Sequence, residues 1–255
     1  MQNTSGSLNT TIENKIATVE FGHPASNSFP RNLLDLLTFE ITNLSDNEAV
    51  LVIVLKSQGN TAFCAGASFD ELLAVSNKEE GLEFFSGFAH LLNAMRKCKK
   101  LIIGRIQGKA VGGGVGIAAA CDYVFATTNA SVKLSELAIG IGPFVIEPAV
   151  SRKIGKIAMS EMSLAAHEWK SAAWALQKEL YTTVFETTES LDIAIDELSS
   201  RLASYNPEAL FEMKKVFWEG TEHWDSLLIE RAAISGELVL SDFTKKALQE
   251  FKVRK

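Results

Sequence analysis

Residues 49–55, AVLVIVL, are apolar without interruption. A strand with one face in water would alternate polar and apolar side chains. A strand with no polar face must be covered on both sides, as strands are in parallel sheets clothed by helices. The neighbouring segments agree. Thr11 to Phe21 alternates polar and β-favouring residues around a turn-like Glu13-Asn14-Lys15 and predicts a hairpin or paired strands. From Asn32 to Leu44, Leu33, Leu34, Leu36, Leu37, Ile41 and Leu44 recur at helical spacing. Leu101 to Ile106 and Tyr123 to Ala126 predict further short strands, and Gly114 to Cys121 a helix of small residues packed between them. Strands alternating with helices imply an α/β fold with a largely parallel sheet.

The pattern changes near residue 190 to helices only, over Leu191 to Ser204, Pro207 to Gly220, His223 to Leu238 and Asp242 to Lys252. Asn206 before Pro207 and Ser241 before Asp242 read as caps. A chain of 255 residues approaches the upper size of a single core. The expected organisation is therefore an α/β core over 1–190 and a helical region over 191–255. The 47% apolar and 22% charged content is that of an ordinary globular protein. With 25 basic against 31 acidic residues the net charge of −6 has the wrong sign for a backbone-driven nucleic-acid binder. Three cysteines, Cys64, Cys98 and Cys121, make neither a disulfide framework nor a zinc spacing, which points to a reducing compartment. The N-terminus has no targeting pattern and no apolar run is long enough to span a bilayer, so the expected location is the cytoplasm.

Two glycine-rich segments carry the chemistry. Asn60 to Leu72, NTAFCAGASFDEL, passes from a turn through small residues into a helix start, and Ile106 to Cys121, IQGKAVGGGVGIAAAC, does the same after a strand. Backbone N–H groups at such junctions are orphan donors able to hold an anion or a developing oxyanion. Taken alone, the first segment reads more readily as a tight packing loop, and the second as readily as a close helix-on-strand contact. GGGVG lacks the GxGxxG spacing of a dinucleotide fold, and Lys109 does not follow a phosphate-loop pattern.

AFCAGASFDEL, then IQGKAVGGGVGIAAACD, then KLSELAIGIGP, in this order, strongly resemble the crotonase family, the enoyl-CoA hydratases and isomerases. The resemblance implies a crotonase-like spiral of ββα units followed by C-terminal helices that cover the site and form trimers, assembled as a homotrimer or a dimer of trimers. It implies an acyl-CoA thioester as substrate, with no separate cofactor, metal, nucleic acid or membrane as partner. By motif position the oxyanion donors fall on the N–H groups of Ala67 and Gly113. CoA contacts fall around Ala25 and Ser26 and on the backbone of Ala65, Gly66 and Ala67. Phe251 and Arg254 match positions that in some relatives reach the CoA of a neighbouring subunit.

Hydratases of the family use two glutamates. One falls on Glu136; the place of the other, three residues after Gly113, is held by Gly116. GGGVG, the following Ser135-Glu136, and Pro143 to Pro148 look most like bacterial members of the methylglutaconyl-CoA hydratase type. The resemblance thus implies hydration of a short or branched 2-enoyl-CoA with Glu136 as acid and base. A Δ3,Δ2-enoyl-CoA isomerase, for which one glutamate suffices, and a catalytically silent acyl-CoA binder stand beside it. Glu147 is a candidate substitute carboxylate, weighed against an ordinary solvated glutamate. Cys64 lacks a partner for nucleophilic work, and His23, His90, His167 and His223 show no ligand spacing. Arg96, Lys97, Lys99 and Lys100 read as a solvated helix end, and Phe84, Phe85 and Phe88 as acyl pocket or underlying core.

Overall fold

The computed structural model describes residues 6–253. The chain opens with β1 (Ser7–Glu13) and β2 (Ile16–Gly22), an antiparallel pair turning at Asn14 and Lys15, both at positive φ. It continues through α1 (Arg31–Asp46), β3 (Val52–Ser57), β4 (Ala62–Cys64), α2 (Phe69–Ala74) and α3 (Lys78–Lys97). Next come β5 (Leu101–Ile106), β6 (Lys109–Val111), α4 (Gly113–Ala120), β7 (Tyr123–Thr127), β8 (Val132–Lys133) and a 3-10 helix over Glu136–Ile139. The remainder is α5 (Glu147–Leu164), α6 (Ala172–Gln177), β9 (Thr183–Phe185), α7 (Thr188–Ala203), α8 (Pro207–Phe217), α9 (Trp224–Leu238) and α10 (Asp242–Val253).

Two sheets result. The larger has the order β1-β2-β3-β5-β7-β9, parallel from β2 onward; the smaller is β4-β6-β8, also parallel. The pairs β3 and β4, β5 and β6, β7 and β8 each place one strand in each sheet, so the chain advances as a spiral. This is the ββα arrangement that the resemblance implies.

Burial explains the apolar run. Ile53 and Leu55 of β3 face the main core with α1 and α3, whereas Val52 and Val54 face a second apolar cluster completed by Leu191 and Ile195 of α7. Both faces are dry from Val52 to Leu55, so that stretch carries no polar residue, and polar side chains enter only at the strand's end with Lys56 and Ser57. The strand starts later than the run does: Ala49 is exposed, and Val50 belongs to a turn on the Asn47 carbonyl. Leu36, expected inside, is half exposed on the outer side of α1.

The cap readings hold, since Asn206 accepts from the Glu208 N–H (2.9 Å) and Ser241 from the Thr244 N–H (3.2 Å). An ion pair with both side chains nearly fully buried ties α8 to the sheet. Lys214 donates to Asp122 (2.6 Å), whose other oxygen accepts from the Trp218 indole (2.8 Å). The described residues include no helix long and apolar enough to cross a membrane.

Candidate active site

The first glycine-rich segment leaves β4 at Cys64. Gly66 takes φ +89, which only glycine adopts freely, and Ala67 then forms a parallel bridge with Phe29. In that bridge the Phe29 N–H donates to the Gly66 carbonyl and the Ser68 N–H donates to the Phe29 carbonyl, each at 2.8 Å. Both bonds belong to the flanking residues, so the Ala67 N–H points away from Phe29. It has no partner among the described residues. Ser68 caps α2, its hydroxyl accepting from the Glu71 N–H at 3.4 Å.

The second segment leaves β6 and turns at Gly112, φ +53, whose N–H donates to the Lys133 carbonyl (2.9 Å). The Gly112 carbonyl accepts from Val115 (2.9 Å) and Gly116 (3.2 Å), which starts α4 and leaves the Gly113 N–H in the first turn without a partner among the described residues. The two segments lie against each other. A Cβ added to Gly66 would stand 3.7 Å from the Gly113 nitrogen, and one on Gly114 would stand 2.7 Å from the Cys64 Cβ. Phe88 backs the Gly113 side, 2.2 Å from where a Cβ would be, so its ring packs directly on that backbone.

Glu136 arrives from the third motif, at the start of the 3-10 helix that follows β8. Its Oε1 lies 2.8 Å from where a Gly112 Cβ would stand, next to the Gly113 donor in sequence. The residue's surface is partly exposed, yet Oε2 is sealed from solvent and has no hydrogen-bond partner. Burial pushes the carboxyl up to about 7, against the smaller opposing pull of the backbone N–H groups of Glu136 and Ser135. Acid and carboxylate are therefore both well populated near neutral pH.

The structure thus brings together Ala67, Gly66, Gly113 and Glu136 from three separate motifs. Ala25 and Ser26 lie beside Ala65, whose N–H donates to the Ser26 carbonyl (3.1 Å). Asn27 fixes that turn by donating to the Gln58 and Ala62 carbonyls (2.7 and 2.9 Å). Arg254 lies outside the described residues, and the side chain of Phe251, at the end of α10, does so as well. Cys64 is fully buried and burial raises its thiol to about 12, which leaves it no nucleophilic thiolate. The Glu147 carboxylate is bonded to Ser151 (2.6 Å) in the first turn of α5, on a cavity of about 520 Å³ lined also by Leu137, Phe144 and Arg231. Of the cationic run, Arg96 and Lys97 pair with Asp225 and Lys99 with Asp46. His90 is exposed on α3.

The phenylalanines divide. Phe88 belongs to the main core, Phe84 joins a separate apolar cluster of Leu72, Ile141, Val239 and Leu248, and Phe85 packs against both. That cluster is contributed by α2, α3, the 3-10 region, the end of α9 and α10, and Phe243 and Thr244 of α10 pack on Gly140 at the end of the 3-10 helix that carries Glu136. Two participants carry no mark in the sequence, Asn27 and Ile146, which packs on Gly116; Phe88, read as acyl pocket or underlying core, proves to be core that backs Gly113.

Fold and site define an α/β spiral whose two backbone donors and one buried carboxyl converge from ordered glycine-rich motifs. The family described as Enoyl-CoA hydratase/isomerase matches residues 11–252, and the chain belongs to it. It is an acyl-CoA-processing enzyme with the crotonase fold. The chain is 28% identical to the short-chain-enoyl-CoA hydratase of Clostridium acetobutylicum over 242 residues, 94% of this chain and 92% of that one. Human mitochondrial methylglutaconyl-CoA hydratase is 32% identical over 117 residues, 46% of this chain and 34% of that protein. The likeness to the methylglutaconyl type therefore covers less than half of the chain. Among solved structures, the enoyl-CoA hydratase of Bacillus halodurans superposes with a TM-score of 0.88 at 20% identity, covering 95% of this chain and 99% of that one.

Proposed function

We propose that the protein hydrates a short or branched 2-enoyl-CoA in the cytoplasm. The thioester oxygen is held by the N–H groups of Ala67 and Gly113, and Glu136 is the acid and base. Preorganised donors aimed at a developing enolate are often the largest single catalytic contribution. The CoA runs past Ala25, Ser26 and Ala65, with Phe251 and Arg254 reaching the CoA of a neighbouring subunit in a trimer or dimer of trimers. The acyl group lies towards the cluster around Leu72 and Ile141.

One observation carries the reading: a buried carboxyl poised near neutrality, with one oxygen free of partners, beside an unpartnered N–H. One carboxyl is enough for the addition. As the water oxygen bonds to C3, the double-bond electrons move into the thioester enolate. Glu136 gives its proton to C2 as the enolate collapses, and the proton released by water restores the acid.

A second reading is favoured by Gly116, the place where the resemblance puts a second carboxylate and where Ile146 packs instead. As a Δ3,Δ2-isomerase, Glu136 in its carboxylate form would remove the C2 proton of a 3-enoyl-CoA and return it at C4. The two reactions demand opposite starting protonation states of the same group. With crotonyl-, 3-methylglutaconyl- and 3-hexenoyl-CoA, hydration gives a product heavier by one water and kcat/KM falling as pH rises through about 7. Isomerisation gives no mass change and kcat/KM rising through the same pH. Glu136→Gln should lower either activity by about 10²- to 10⁴-fold while leaving CoA-ester binding near that of the wild type. Full activity in that variant would overturn both readings.

A further inference from the structure

The 3-10 helix that carries Glu136 has no buried residue of its own, so its place depends on what holds its two ends. On the β8 side, the Lys133 carbonyl accepts the Gly112 N–H of the second glycine-rich segment (2.9 Å). At the other end Gly140, at φ +86, closes the turn in a conformation that favours glycine. Its N–H donates to the Leu137 carbonyl (3.1 Å) and to that of Glu136, which also accepts the Ile141 N–H (3.1 Å). Gly140 in turn meets the first turn of α10. A Cβ there would stand 2.5 Å from both the Phe243 Cδ1 and the Thr244 Oγ1, so ring and hydroxyl lie against the bare Cα. Thr244 is fully buried; the Ser241 hydroxyl donates to its hydroxyl (3.0 Å) and accepts its N–H (3.2 Å). Leu248, one turn further along the same face of α10, joins Leu72, Ile141 and Val239 in one apolar cluster. Leu72 belongs to α2, which starts directly after the Ala67 segment, and Ile141 follows Gly140. One face of α10 therefore spans the helix behind the Ala67 segment and the turn that carries the carboxyl.

We infer that Phe243 and Thr244 are positioning residues for Glu136: by packing on Gly140 they hold its turn against the Ala67 and Gly113 segments. The inference deepens the acyl-CoA reading above and rests on it for the role of Glu136. The carboxyl's own hydrogen bonds come from the backbone N–H groups of Glu136 and Ser135, not from α10, so the influence of Phe243 and Thr244 runs through the turn. A reacting group displaced by about 1 Å can lose about 10²-fold in rate. A loosened turn also admits water to the sealed Oε2, which returns the carboxyl from about 7 towards its ordinary value of 4.5.

The test compares Phe243→Ala, Thr244→Ala, Thr244→Ser and the double alanine variant in the full chain. Two quantities are read: steady-state kinetics on whichever CoA ester the wild type turns over, and the titration of Glu136 itself. The titration is followed by carboxyl NMR of isotope-labelled glutamate, with Glu136→Gln to assign the signal. The double variant should lower kcat by about tenfold or more with KM within about threefold of the wild type. Its Glu136 titration should move down by about one unit or more, whereas Thr244→Ser, which keeps the hydroxyl on Gly140, should behave as the wild type. A lowered Tm with kcat and the titration unchanged would show that α10 merely stabilises the fold, and would overturn the inference. Phe243 is 67% exposed, so Phe243→Ala takes the ring off Gly140 without opening the core and keeps the test decisive where Thr244→Ala folds poorly. The titration needs no turnover. Absence of turnover of every CoA ester by the wild type, with the titration moving as expected, would overturn the acyl-CoA reading and leave the positioning contact standing.

Discussion

Glu136, the proposed acid and base, shows how burying a carboxyl works against the fold. Its carboxyl is about 4.5 in the unfolded chain and about 7 when folded, because burial disfavours the charged form. The folded state therefore holds its proton over a pH range in which the unfolded state has released it. Stability falls as pH rises from about 4.5 to about 7 and is level above that, by an amount on the order of 3 kcal/mol. A neutral amide in the same place has no such dependence. Glu136→Gln should accordingly melt several degrees higher than the wild type above about pH 7, the difference shrinking as pH falls towards 4.5. Melting curves of the two proteins across that range check it; parallel curves would show that the carboxyl is not desolvated.

At the scale of elements, α3 and α9 meet backbone to backbone at two glycines. A Cβ on Gly81 of α3 would stand 2.6 Å from the Gly236 carbonyl oxygen, and one on Gly236 of α9 would stand 2.7 Å from the Gly81 carbonyl carbon. Alanine is better than glycine inside a helix by about 1 kcal/mol. Here the obstructing atoms are backbone, so relief requires the helices to separate, and overpacking of this kind costs about 1–3 kcal/mol. Gly236→Ala should therefore lower the urea midpoint in spite of its better propensity, and a higher midpoint would mean that α3 and α9 slide apart freely. The elements themselves were legible where their periodicity was strong. The two-sided burial of β3 is written in its unbroken apolar run, and the caps Asn206 and Ser241 in the residues that precede their helices. Its true start at Val52 was not legible, because Ala49 and Val50 are apolar for a turn that nothing local distinguishes from a strand.

For the molecule as a whole, the two most exposed large apolar side chains among the described residues are on α5. Ile157 is 89% and Leu164 79% exposed, and at a spacing of seven they share one face of the helix. Burying side chains of this size stabilises by about 1.5–3 kcal/mol each, which suits the proposed assembly of several copies. Sedimentation of the wild type should give a trimer or hexamer, and the double variant Ile157→Asp and Leu164→Asp should give monomer; a wild-type monomer at micromolar concentration would remove the assembly from the proposal.

What the sequence alone determined was the alternation of strands and helices and the order of three motifs, which are local properties carried by periodicity, turn chemistry and small residues at fixed offsets. The resemblance of those motifs to a family, and not the pattern itself, pointed to Ala67, Gly113 and Glu136. Only the tertiary structure decided that the Ala67 and Gly113 N–H groups have no partner among the described residues, that the Glu136 Oε2 is sealed and its carboxyl raised towards neutrality, and that Ile146 fills the space over Gly116. Each of these depends on distances between segments remote along the chain. Such distances are set by how two sheets and their helices close on one another, and no residue carries a local mark of the neighbour it will meet.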